Sequence, residues 1–178
     1  MKTLTLLRHA KSTWDDPVTR DFDRPLNPRG RRAARTIGGE MKRLGLAFDA
    51  VVASPAVRVR ETVAEVEASF GPLAADFDQR LYLASLDTLL DIVRAAPDGA
   101  ASLLLVAHNP GLELLTLALA AERKAPLRGE VEAKYPTATL AELRLPAERW
   151  ADAEPGTAEL ARFIRPRDLD PALGPDGS

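Results

Sequence analysis

Two spacings of apolar residues alternate along this chain. Residues 4–7 (LTLL), Ala50–Ala53 and 103–107 (LLLVA) are short, nearly unbroken apolar runs. Runs of this kind predict strands covered on both faces. Between them the spacing turns helical. Ala34, Ile37, Met41 and Leu44 fall on one face, with Gly45 as a stop; Ala56, Val59, Val63, Val66 and Phe70 do the same before Gly71. A third helix is predicted over 85–96, built on Leu89, Leu90, Ile92 and Val93 and ended by Pro97. A fourth opens after Asn109-Pro110 and carries Leu112, Leu115 and Leu119. Two more strands are expected at 139–145 and 159–164. Strands alternating with helices predict an α/β fold in three layers, with helices on both faces of a mainly parallel sheet. One domain is expected over 1–165, followed by a flexible tail over 166–178 that contains three prolines.

Composition narrows the function classes. The chain has 178 residues, 46% of them hydrophobic and 28% charged, which is ordinary globular usage. It has no cysteine, so disulfides, thiolate metal sites and a cysteine nucleophile are excluded. The apolar stretch before Arg8 is too short for a signal peptide, and no run reaches membrane-span length, so a soluble cytoplasmic protein is expected. The formal net charge is -2, but residues 1–62 carry +6 and the remainder -8. A near-neutral total speaks against bulk nucleic-acid binding, while a basic first third suits a small anion.

Three Asx- or Ser-Pro pairs, Asn27-Pro28, Ser54-Pro55 and Asn109-Pro110, each read as a helix N-cap followed by proline at the first helical position. The last two directly follow strands. In open α/β sheets the ligand crevice lies beyond the carboxyl ends of the strands. Arg8-His9 ends the first strand, Ser54 and Arg58 follow the second, and His108-Asn109 follows the strand at 103–107. His9 and His108 are the chain's two histidines. Taken singly, each reads better as a capped or hydrogen-bonded structural residue; together with two arginines at one sheet edge, they indicate a site. Residues 10–26 lack periodicity and admit two readings. They are a surface loop pinned by Trp14 and Phe22, or a lid that adds the cation Arg24 and a proton donor, Asp23.

Leu6-Leu7-Arg8-His9-Ala10, then Ser54-Pro55-x-x-Arg58-x-x-x-Thr62, then Val106-Ala107-His108-Asn109-Pro110-Gly111 resemble the histidine phosphatase superfamily, which includes the phosphoglycerate mutases. The short chain, the Arg-His-Ala variant and the Asp23-to-Asn27 segment leading into Arg29-Gly30 are most similar to SixA-type phosphohistidine phosphatases. The resemblance spans about residues 2–165. It implies that His9 accepts the phosphoryl group and that Arg8, Arg58 and His108 form the phosphate pocket. Ser12, Arg24 and Asn109 stand beside them as substrate-binding candidates.

The chemistry is consistent. Arginine forks match phosphoryl oxygens in pairs, and neighbouring cations favour a neutral imidazole. No cofactor or metal is expected, because the basic residues supply the counter-charge and no paired ligand spacing is present. One departure from the superfamily pattern concerns the acid that protonates a leaving group. The segment 77–82 offers no clear match, leaving Asp78 or Asp23 as candidates. A missing acid favours phosphohistidine, which leaves as imidazole, over an alkyl ester. The chain is also too short for insertions that would roof a small-molecule pocket. The segment 122–135, with Arg123, Lys124, Arg128 and Lys134, reads as a solvated loop in preference to a border of the crevice. The expected partner is therefore a phosphorylated protein or, failing that, a small phosphate ester. Alternatives are a small-molecule phosphomonoesterase and a phosphate-binding module without turnover.

Overall fold

The computed structural model describes residues 1–17, 19–122 and 126–174. Six strands form one sheet: β1 (Lys2–Arg8), β2 (Ala50–Ala53), β3 (Asp76–Phe77), β4 (Ser102–Ala107), β5 (Leu140–Leu145) and β6 (Glu159–Ile164). Their order is β3-β2-β4-β1-β5-β6. The first four are mutually parallel, and β5 runs antiparallel to β1 and to β6. The helices are α1 (Pro28–Arg43), α2 (Val57–Phe70), α3 (Leu86–Arg94), α4 (Gly111–Leu119), α5 (Pro126–Ala133) and α6 (Pro166–Leu169).

The unbroken apolar runs have the predicted cause. In β4, Leu103, Leu105 and Ala107 pack beneath α3 and α4, whereas Leu104 and Val106 pack against α1 and α2. Each strand side chain thus has a core to enter on either face. Trp150 and Tyr135 complete the α3–α4 layer, both fully buried. The indole of Trp150 donates to the Ala100 carbonyl, and the Tyr135 hydroxyl donates to that of Leu6. No helix among the described residues is long and apolar enough to cross a membrane.

The helix that follows β1 lies on one face and the helix that follows β4 lies on the other. β1 and β4 are neighbours, so the chain parts between them and leaves a crevice beyond their carboxyl ends.

The Asn27-Pro28 pair opens α1 as expected, the Asn27 side chain accepting from the Gly30 amide at 2.7 Å. Three expectations change. The other two Pro pairs are not N-caps: α2 starts at Val57 and α4 at Gly111. The Ser54 hydroxyl is taken up by the His108 ring, and the Asn109 amide donates to the Tyr135 carbonyl while its oxygen accepts from Glu113. Part of the expected loop at 122–135 is helix α5, in which Arg128 bonds the carbonyls of Leu117 and Ala120; Arg123 and Lys124 lie outside the described residues. Finally, the tail expected to be flexible from 166 is packed as far as Gly174. Leu173 is 8% exposed, buried with Leu169 against the α1 layer, and Asp170 pairs with Arg32 at 2.5 Å. Pro166 and Pro171 start helical turns there instead of fraying the chain.

Gly30 is required by close approach. A Cβ there would overlap the carbonyl of Lys11 and lie 2.9 Å from its nitrogen. Both are backbone atoms and cannot swing away. Gly30→Ala is therefore expected to cost about 1–3 kcal/mol as overpacking. Urea unfolding should show the loss as a lower midpoint at unchanged slope.

Candidate active site

His9 leaves β1 with its backbone still in the sheet: its amide donates to Ala107 and its carbonyl accepts from Ala138, both at 3.0 Å. Its ring Nδ1 lies 2.7 Å from the Ala10 carbonyl. A carbonyl can only accept, so Nδ1 carries the proton and Nε2 keeps its lone pair. The His108 ring centroid is 5.3 Å away, and His108 Nε2 is 2.7 Å from Ser54 Oγ. Arg8 is aimed by a bond from Nη1 to the Tyr135 carbonyl at 2.8 Å. Arg58 is set by the first turn of α2. Thr62, one turn on, receives the Ala10 amide at 2.9 Å and donates to the Arg58 carbonyl at 2.7 Å, tying α2 to the end of β1.

These side chains border one open cleft of about 330 Å³. Arg8, His9, Ser12, Arg24, Arg58, His108 and Asn109 all line it, so the sequence candidates from five separate segments do converge. Asp23 and Asp78 do not line it. Asp23 pairs with the exposed Arg20, and Asp78 caps the turn at Gln79–Leu81 while pairing with Arg80, which holds its carboxyl below the usual range.

Among the described residues the carboxylate that lines the cleft is Asp21, which the sequence reading did not single out. Its Oδ1 accepts from Arg24 at 3.0 and 3.1 Å, and its Oδ2 from Arg58 at 3.0 Å and from the Tyr82 hydroxyl at 2.6 Å. Its backbone carbonyl takes a second Arg58 bond at 2.7 Å. Partial burial pushes this carboxyl up, but the bonds from Tyr82 and Arg24 and the charge of Arg58 outweigh it and hold the pKa at about 2. The 10–26 loop is therefore anchored. Ser12 and Leu26 form an antiparallel bridge, Arg24 Nη1 bonds Ser12 Oγ, and Phe22 meets Tyr82 edge-on at 5.0 Å. Trp14 does not pin the loop to the body; it is 75% exposed and lies over the Arg24 guanidinium at 3.5 Å.

Electrostatics keeps both imidazoles neutral. Burial, then the charges of His108, Arg8 and Arg58, push His9 well below its ordinary value despite the bond to Ala10. Burial and Arg58 together push His108 down to about 3. Three buried polar atoms here, Arg8 Nε, Arg58 Nε and His108 Nδ1, have no hydrogen-bond partner among the described residues. Such groups are costly and concentrate where function needs them. No group of three or more His, Cys, Asp or Glu able to hold a metal occurs among the described residues. The arrangement is a neutral imidazole with an open lone pair beside fixed cations, suited to an anionic electrophile.

The sequence profile of the histidine phosphatase superfamily (branch 1) matches residues 4–82. A solved structure from Nakamurella multipartitia, provisionally assigned as phosphohistidine phosphatase SixA, is 31% identical; the match covers 93% of this chain and 96% of that one, with a TM-score of 0.77. This chain belongs to the histidine phosphatase superfamily. An uncharacterised Mycobacterium tuberculosis protein is 38% identical over 163 residues, covering 90% of this chain and all of the relative. The protein histidine phosphatase SixA complexed with tungstate shares the fold at a TM-score of 0.76, with 21% identity over 94% of this chain and 99% of that one. The superfamily profile takes in the segments of His9 and Arg58 but stops before β4. His108 joins the same cleft through the fold.

Tyr82, Tyr135 and Thr62 act here through backbone carbonyls and other side chains, so no local pattern marks Tyr82 or Tyr135; Thr62 alone lay within a motif. The depressed histidines fix a sign for pH dependence. Below about pH 6.5 the unfolded chain binds protons that the folded histidines refuse, so stability is full above that pH and is lost as pH falls. Each histidine contributes a slope of up to about 1.4 kcal/mol per pH unit. Asp21 acts separately, its contribution being lost only as pH falls below 3.8 toward 2. Urea midpoints between pH 6.5 and 4.5 should fall steeply in the wild type and less steeply in His108→Gln.

Proposed function

We propose that this phosphatase hydrolyses phosphohistidine on a protein through a covalent intermediate on His9. His9 Nε2 attacks phosphorus, and the substrate's phosphorus–nitrogen bond breaks with its electron pair returning to the leaving imidazole. Water then attacks the His9 phosphoryl group and releases inorganic phosphate. Arg8, Arg58 and His108 hold the phosphoryl oxygens, with Ser12, Arg24 and Asn109 at the margins of the cleft. Because phosphoryl transfer is largely dissociative, positioning and counter-charge supply most of the catalysis, and the cations provide both.

One observation carries the choice of substrate. The carboxylate at the cleft is Asp21, ionised with a pKa of about 2 and bonded to two arginines and Tyr82. It holds no proton to give at neutral pH. An alkoxide leaving group needs such a proton, so an ester would react slowly. A phosphohistidine whose second ring nitrogen is already protonated leaves as neutral imidazole and needs none.

The test is kcat/KM on a phosphohistidine peptide and on an aryl phosphate, in chelator, with His9→Ala as the blank. A preference for the peptide is expected; a preference for the ester would make the protein a small-molecule phosphomonoesterase. His9→Ala should lower turnover on the order of 10⁴-fold or more yet still bind inorganic phosphate, as removal of a nucleophile does. Near-wild-type rates in that variant would remove His9 from the mechanism. Arg58→Ala should cost about 100-fold or more in kcat and also weaken phosphate binding, as loss of a charge-stabilising donor does.

A further inference from the structure

Ser54 lies one residue past β2, fully buried, and its hydroxyl oxygen makes two contacts. The Ala56 amide donates to Oγ at 3.3 Å, and Oγ stands 2.7 Å from Nε2 of His108. An amide can only donate, so it occupies a lone pair of Oγ and leaves the hydroxyl hydrogen to be placed. Among the described residues the acceptor within reach of that hydrogen is His108 Nε2. The hydroxyl therefore donates and Nε2 accepts. Burial and Arg58 keep this ring neutral, so its single N–H falls on Nδ1. The reverse assignment, with Nε2–H donating to Oγ, leaves two buried groups without partners, the hydroxyl hydrogen and the Nδ1 lone pair. The first assignment leaves one.

That proton changes what the cleft offers. Arg8 Nε, Arg58 Nε and His108 Nδ1 are the buried side-chain atoms without partners among the described residues, and all three belong to side chains that line the cleft. The two guanidinium nitrogens are always donors. With its proton on Nδ1, His108 supplies a third donor, and the oxygens of one anion suit all three. With the proton on Nε2, the third atom would set a lone pair against the anion.

We propose that Ser54 is a positioning residue: its hydroxyl fixes His108 in the Nδ1–H form and so makes the ring a donor to the bound phosphoryl group. The inference rests on the place of His108 in the phosphate pocket proposed above, and not on phosphohistidine being the substrate. His9 reaches the same tautomer by another route, through the Ala10 carbonyl. The two rings use it for different ends. His9 keeps Nε2 open to attack phosphorus, whereas His108 has Nε2 occupied by Ser54 and offers Nδ1–H.

The test begins with the wild type. The chain has two histidines, so nitrogen-15 labelling of histidine gives two imidazoles, and His9→Ala leaves His108 alone. Nitrogen–proton correlation spectra at neutral pH should show His108 protonated on Nδ1 and bare on Nε2. A ring protonated on Nε2 overturns the proposal. Saturating inorganic phosphate should shift the Nδ1–H resonance of His108, and a resonance that stays in place also overturns it. Ser54→Ala should move part or all of the proton to Nε2. It should weaken phosphate binding about tenfold and lower kcat/KM about 10–100-fold, as loss of a tautomer-fixing partner does for metal-bound imidazoles. Ser54→Thr, which keeps the hydroxyl, should restore the tautomer and most of the rate. An Ala variant with the wild-type tautomer and phosphate affinity removes Ser54 from the pocket's chemistry. Tautomer and phosphate affinity are read without turnover. They support the role of Ser54 even if a phosphohistidine peptide is not hydrolysed, a result that would count against the substrate reading alone.

Discussion

The Asp21 carboxylate is what allows two nearly buried arginines to stand side by side. Arg58 is 2% exposed and Arg24 7%, and a guanidinium so withdrawn from water is tolerated only when charge and hydrogen bonds replace the solvent. Asp21 supplies both, and through Tyr82 it also joins the loop to the turn before α3. The consequences run outward. The loop is held over the sheet edge, Arg58 is oriented, and the acid in the site is kept ionised. One residue therefore shapes the cleft and also sets its charge.

The sheet supplies a second constraint. β1 and β4 are adjacent and parallel, and their helices depart to opposite faces. Their last residues, Arg8 and Ala107, are register partners, which brings His9 and His108 within ring-contact distance. Burial then depresses both imidazoles, and the Ala10 carbonyl selects the tautomer of His9. The position and tautomer of the His9 ring thus come from backbone groups at and just beyond the end of β1. The packed residues after β6 bring Arg165, Arg167 and Leu173 to a second depression that shares Lys11 and Thr137 with the cleft.

Much of this was legible in the residue pattern. Unbroken apolar runs marked the central strands because both sheet faces are covered, and helical spacing located α1 to α4. His9, His108, Arg8 and Arg58 were legible because they follow strands, and strand ends in such folds face the crevice. The short strand β3, with both residues exposed, carries no apolar signal at all. Helix α5 was hidden by its charged surface, since Val131 is its one buried residue. The prolines after 165 suggested fraying because composition alone cannot tell a free proline from one that starts a packed turn.

The residue pattern alone carries the α/β alternation, the two histidines and two arginines at strand ends, and the family motifs they form. Those features depend on short-range periodicity and on residue type, which a chain displays without folding. Which acid borders the cleft depends on packing in three dimensions. Asp21 and Asp23 are two residues apart and chemically identical, yet one meets Arg58, Arg24 and Tyr82 while the other pairs with exposed Arg20. The protonation of a carboxyl depends on the charges and donors packed around it, and those arrive from segments distant in the chain.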